Sequence, residues 1–188
     1  MKLFLTLKRL LSEGGDTLRD RELVQQAKYG DKEALSQIVR RYYNEIYLFI
    51  YRRLGDSYSA EDITQEVFLK FTQCLPQYKE KDKLKSYLLS IAINCSNDYY
   101  RKAKREVLSE EIEITEEAVN SFDSDMRECI KSALLQLPDE QRNVIILRYY
   151  HDLKIREISR ITSCSQSTVK SRLYRGENQL KEILKGVL

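Results

Sequence analysis

Apolar residues along the chain recur at the three- and four-residue spacing of amphipathic helices. Nowhere do apolar and polar positions alternate over a stretch bounded by turn signals, as a strand would require. Asp20 can cap a short helix that stops at Gly30. Asp31 opens a longer one, in which Leu35, Ile38, Val39, Tyr42, Ile46, Phe49 and Ile50 keep helical spacing up to Gly55. Ser59-Ala-Glu-Asp62 has the form of a capping box, a hydroxyl followed three residues later by an acid. The helix it opens carries Ile63, Val67, Phe68, Phe71 and Leu75 on one face. Pro76 forces a loop through about Asp82, and a fourth helix follows with Leu84, Leu88, Ile91, Ala92 and Cys95 inward. Periodicity then fades. It returns in a helix ending near Leu137, in one opened by Pro138 that carries Val144, Ile145 and Leu147, and in two units, Leu153–Thr162 and Ser165–Leu184.

This pattern predicts an all-α chain of two small helical domains joined by a flexible acidic linker. The expected divisions are an N-terminal extension over 1–17, a four-helix domain over 18–105, the linker over 106–123, and a second four-helix domain over 124–188. The scarcity of Gly (6) and Pro (2) among 188 residues agrees with helix throughout. Domains that small leave much of their core wet and gain stability from a partner. Leu3, Leu7, Leu10 and Leu11 make one face of a short amphipathic segment, read as a frayed extension.

Charge changes the picture through its distribution, since a net +3 implies little. Arg101, Lys102, Lys104 and Arg105 form one basic stretch, and Lys170, Arg172, Arg175, Lys181 and Lys185 a second. Between them runs an acidic segment from Glu106 to Glu128. Two basic surfaces separated by an acidic tether suit a single polyanion met twice. The four cysteines form no CxxC pair and His151 is the only histidine, so neither a metal nor a cofactor is expected. Scattered cysteines in helical settings read as small buried hydrophobes in a reducing compartment. The N-terminus lacks a signal-peptide core, and no stretch approaches the ~20 apolar residues of a membrane span, so a cytoplasmic protein without membrane insertion is expected.

The tract from Leu153 to Arg175 has helix-turn-helix spacing. Ile155, Ile158 and Ile161 face inward from its first helix, while Val169 and Leu173 lock the second. The remaining positions of that second helix, Gln166, Ser167, Thr168, Lys170, Ser171, Arg172 and Arg175, all donate hydrogen bonds, and no acid interrupts them. Short polar side chains that reach base edges, flanked by cations for phosphates, are what a recognition helix needs.

Leu137-Pro-Asp-Glu-Gln-Arg-Asn-Val-Ile-Ile-Leu-Arg-Tyr, Glu157-Ile-Ser and Thr168-Val-Lys-Ser-Arg-Leu-Tyr-Arg-Gly resemble the C-terminal domain of extracytoplasmic-function RNA polymerase sigma factors. Ala60-Glu-Asp-Ile-Thr-Gln-Glu-Val-Phe-Leu-Lys-Phe resembles their polymerase-gripping helix, and the run from Leu84 to Arg101 resembles the helix that melts and reads the minus-ten element. The resemblance covers roughly residues 18 to 185. It implies that Asp62, Gln65, Glu66 and Phe68 meet the clamp helices of core RNA polymerase. It implies that Lys83, Tyr87, Asn94, Asp98, Arg101 and Lys102 hold the minus-ten strand, with a flipped base read in the loop Gln77–Lys83. It implies that Gln166, Ser167, Thr168, Lys170, Ser171, Arg172 and Arg175 read the minus-thirty-five duplex. Core polymerase (clamp helices and flap), promoter DNA and an anti-sigma factor are the implied partners, and the chain is not expected to be an enzyme. Leu84 and Tyr87 stand where the family generally has Phe and Trp, which reduces stacking surface.

Two other readings compete. A stand-alone helix-turn-helix regulator would bind duplex DNA as a dimer, but the sequence shows no useful heptad seam. A helical nuclease would need carboxylates gathered around Mg²⁺, and no acid matches those of the third helix.

Overall fold

The computed structural model describes residues 19–79, 83–107 and 122–185. The N-terminal extension, part of the loop after Pro76 and most of the acidic linker lie outside the described residues. Every regular element described is helical: α1 Asp20–Lys28, α2 Lys32–Leu54, α3 Ser57–Cys74 with a 3₁₀ turn Leu75–Gln77, α4 Leu84–Val107, α5 Phe122–Leu135, α6 Asp139–Tyr149, α7 Ile155–Ile161 and α8 Gln166–Lys185.

Helix starts follow the supply of side-chain acceptors for the orphan N–H groups of a first turn. Asp31 caps α2 as expected, its Oδ1 accepting from the N–H groups of Glu33 (2.9 Å) and Ala34 (3.2 Å). The other two caps shift. Asp20 is the first residue inside α1 and pairs with Arg41 at 2.6 Å, while Glu22 reaches back to the Arg19 N–H. The cap of α3 is Asp56, which accepts from Tyr58 and Ser59 N–H, so Ser59 lies within the helix and bonds Tyr99 Oη at 2.8 Å. A carboxylate three residues ahead of Ser59 takes the N–H groups before its hydroxyl can.

The chain divides into two compact units, one ending at Arg41 and one running from Tyr42 to Leu188. In the first, Leu23, Val24, Ala34 and Ile38 are buried. In the second, α3 packs along α4, burying Ile63, Val67, Phe71, Leu88, Leu89 and Ala92. The C-terminal helices pack around α6, which is buried from Arg142 to Leu147. Gly176 lets α6 and α8 approach closely: a Cβ there would sit 3.0 Å from Ile145 Cγ1.

Within the second unit, the group formed by the end of α2 with α3 and α4 meets the group of C-terminal helices at a junction built on Arg142. Its five N–H donors are all used, by the carbonyls of Leu134, Leu135, Leu137 and Arg53 and by Tyr100 Oη, at 2.6–3.1 Å. Arg53 and Leu135 lie in the last turns of α2 and α5, where carbonyls have no helical partner. One guanidinium therefore satisfies the ends of two helices from the two groups. Gly55 follows α2 at φ +82°, and a Cβ there would meet Leu135 Cδ1 at 2.6 Å. Arg53 is itself buried, donating to Ile93 O and to Asn97. Of the four cysteines, all free, Cys95 alone is buried; Cys74 is exposed, and Cys129 and Cys164 are partly so.

Candidate nucleic-acid interface

The tight turn between α7 and α8 is held locally. Thr162 ends α7, Ser163 takes a left-handed conformation (φ 51°), and Ser159 Oγ donates to Cys164 O at 2.6 Å. Ser165 then caps α8, accepting from the Thr168 N–H at 3.1 Å. Val169 and Leu173 are buried, as their spacing predicts, so the opposite face of α8 is turned out. Gln166, Ser167, Lys170, Ser171 and Arg175 are exposed, and Thr168 and Arg172 are half-buried. Ser167, Thr168, Ser171, Arg172 and Arg175 line one open groove of about 590 Å³, closed on its far side by Pro138, Glu140 and Gln141 of the α6 start. Exposed Tyr174 adds an aromatic ring to α8 that the spacing argument did not single out.

On α3, Asp62 and Gln65 are exposed and Glu66 half-exposed, one face as expected. Phe68 is buried instead, stacked on Tyr43 with centroids 6.1 Å apart. Leu69, 64% exposed, follows Gln65 and Glu66 at helical spacing and adds an apolar position to their surface.

The α4 residues spread along that helix. Asn94, Arg101 and Lys102 are exposed. Asp98 lies between two cations, Arg101 at 2.8 Å and Lys70 at 3.6 Å, and Lys70 also holds Glu66 at 2.8 Å. Lys70 thus ties the expected polymerase face to the expected minus-ten face, and the Glu66 hydrogen bond raises its pKa most. Tyr87 is half-buried in an aromatic cluster, 4.7 Å from Tyr78 and 6.4 Å from Phe71 between centroids. Lys83 pairs with Glu157 of α7 at 3.3 Å.

Three features escaped sequence reasoning. Arg142 stood inside a matched motif without a role. His151, the only histidine of the chain, lies in the loop between α6 and α7, buried against Phe49 and sharing Glu45 with Lys85. Burial alone would raise the Glu45 carboxyl, but hydrogen bonds from His151 and Lys85, with the Lys85 charge, outweigh it and hold the pKa at about 2. The third is an apolar groove of about 200 Å³ between α5, α6 and α8, lined by Ile130, Leu134, Ile145, Tyr149, Leu180 and Leu184 among others. A lone histidine was the sole signal in the sequence for any of these. Among the described residues no three His, Cys, Asp or Glu side chains gather as a metal site needs, and no helix is long and apolar enough to cross a membrane.

Comparison with known proteins adds an independent line. Residues 38–106 match the family Sigma-70 region 2, and residues 127–180 match Sigma-70, region 4. The chain is 33% identical over 179 residues to the ECF RNA polymerase sigma factor SigW of Bacillus subtilis (strain 168), covering 86% of this chain and 95% of that one. Among solved structures it is similar to the sigma factor RpoE in complex with the anti-sigma factor NepR from Bartonella quintana. The TM-score there is 0.71 at 27% identity, covering 80% of this chain and 96% of that one. CnrH in complex with the cytosolic domain of CnrY shares the fold, with a TM-score of 0.68 at 23% identity over 89% and 97% of the two chains.

Proposed function

The chain belongs to the extracytoplasmic-function (ECF) RNA polymerase sigma factors, and from that membership we propose how its surfaces divide one promoter between them. As an alternative sigma factor it directs promoter recognition and transcription initiation. Residues 18–105 carry polymerase binding and the minus-ten element; residues 124–188 carry the minus-thirty-five duplex. One observation supports this reading above the rest: a single chain presents both the exposed Asp62–Gln65–Glu66 face of α3 and the exposed donor face of α8. The first suits basic groups on the polymerase clamp. The second suits a major groove, with Ser167, Thr168 and Ser171 near base edges and Lys170 and Arg175 near phosphates. Asn94, Arg101 and Lys102 hold the separated strand, and Tyr87 serves it from within its aromatic cluster. The apolar groove of α5, α6 and α8 takes the polymerase flap.

Distance sets the mechanism. Elements near minus ten and minus thirty-five lie about 25 base pairs apart, about 85 Å at 3.4 Å per pair. A compact unit of roughly 150 residues has a radius of gyration of about 15 Å and spans about 40 Å. The arrangement joined at Arg142 therefore cannot touch both elements. The junction opens on polymerase, and the fourteen residues between Val107 and Phe122 reach at most about 50 Å when extended. A partner that holds the junction closed keeps the factor silent. An anti-sigma factor acting so would favour the arrangement seen here, which resembles that of a sigma factor bound to one.

Run-off transcription with core bacterial RNA polymerase and pooled genomic promoter fragments tests the reading. Discrete new transcripts are expected, lost with Asp62→Ala and with Arg172→Ala. No transcript, together with a specific duplex shift by the chain alone, would turn the assignment to a stand-alone regulator.

A further inference from the structure

We infer that Glu140, outside the recognition helix, is a positioning residue of the duplex reader: it holds Arg172 away from DNA phosphates and presents it to a base edge. The inference rests on the sigma-factor reading and adds a determinant of promoter selectivity to it.

The three cations of the α8 reading face are not equivalent. Lys170 and Arg175 are exposed, and among the described residues neither has an ion-pair partner. Arg172 is held: its Nη2 donates to Glu140 Oε2 at 2.5 Å, and its side chain is 23% exposed against 68% for Glu140. A free cation on a helix in the major groove takes the nearest phosphate, a contact that carries no sequence information. A guanidinium with one donor committed to a carboxylate is partly neutralised toward phosphate. It keeps its remaining N–H groups for the paired acceptors of guanine, O6 and N7.

The pair is also fixed in space, unlike most surface ion pairs. Gly176, one turn beyond Arg172 on α8, is buried, and a Cβ there would sit 3.0 Å from Ile145 Cγ1 and 3.5 Å from Gln141 Cβ. Gln141 is the neighbour of Glu140, so the crossing that sets the reach of the pair is locked at backbone distance. Helix position adds to this, because a carboxylate in the first turn of α6 is favoured by the helix dipole. An exposed ion pair of this kind contributes little to stability, which leaves aim as its main effect.

The test uses the full chain and the isosteric variant Glu140→Gln. Two quantities are read: selectivity in run-off transcription, with core polymerase, from a promoter library randomised across the minus-thirty-five element; and the salt dependence of binding to a 30-base-pair duplex of random sequence. With Glu140→Gln, selectivity is expected to fall about tenfold, within the range for loss of one bidentate base contact. Binding to the random duplex should tighten, and its slope in log K against log salt should steepen by about 0.9, the value of one added phosphate contact. Arg172→Lys, which keeps the charge and loses the planar fork, should lose selectivity and leave the slope unchanged. Unchanged base preference and unchanged slope in Glu140→Gln overturn the inference, whatever happens to the melting temperature. If the wild-type chain yields no transcript, the sigma-factor reading fails, and the slope measurement still decides the role of Glu140.

Discussion

Arg142 and Arg172 both sit in the C-terminal helices, and the fold uses them in opposite ways. Arg142 is buried at the junction with all five donors committed to carbonyls and a hydroxyl. Arg172 lines an open groove with one carboxylate partner, Glu140, and keeps 23% of its side chain exposed. Desolvation makes the difference. A buried guanidinium left without partners destabilises the fold, and one as fully satisfied as Arg142 ends up structural. One that is only half-buried, beside an exposed carboxylate, is worth less to the fold and remains available to a ligand. The junction and the reading face therefore separate stability from recognition within one stretch of chain.

That separation gives graded expectations. Arg142→Ala should cost the most, about 3–5 kcal/mol in urea unfolding, because it strands carbonyls at the ends of two helices at once. Arg142→Lys should recover only part, since an ammonium cannot serve acceptors spread around a plane. Gly55→Ala comes next, at about 2 kcal/mol, combining a positive φ with a Cβ pressed on Leu135. A cost below 0.5 kcal/mol there would mean that the junction yields easily.

The pH response of the Glu45–His151 contact, a second link between α2 and the C-terminal group, is smaller and has a definite sign. Glu45 titrates lower in the folded chain, at about 2, than at its ordinary 4.5. Its contribution is therefore complete above about pH 4.5 and is lost as the pH falls toward 2. After allowance for its partial exposure this is of order 1–2 kcal/mol. Donor and acceptor dyes on the two helical groups should separate over that window in the wild type, and Glu45→Gln should remove the window. Smallest in stability are Asp62→Ala and Arg172→Ala, each expected to shift unfolding by less than about 1 kcal/mol while abolishing promoter-specific transcription. A large loss of stability in either would merge the two classes of residue that the structure separates.

Much of this was legible in the chain because it is local. Helical period located most of the inward residues of α2, α3, α4, α6, α7 and α8, and the out-facing donors of α8 follow from Val169 and Leu173 being in. The motifs around Asp62 and Thr168 carried the family by themselves. Capping was read less well, because a hydroxyl at Ser59 competes with a carboxylate at Asp56 and spacing alone does not rank them. Phe68 carries two readings: helical spacing puts it with Ile63, Val67 and Phe71 on the inward face, where Tyr43 stacks on it, while the family resemblance implied a polymerase contact.

What the sequence determined by itself is the all-helical architecture, the helix-turn-helix and the outward set of polar residues, since each depends on neighbours three or four positions away. Tertiary structure alone decided the partners of the charges. Arg142 meets the Arg53 carbonyl across 89 positions, His151 meets Glu45 across 106, and Arg172 meets Glu140 across 32. No period encodes such pairs. The first two exist because packing brings helix ends and side chains from distant segments into a desolvated space, where polar groups need partners; the third, at an open groove, follows from the close crossing of α6 and α8.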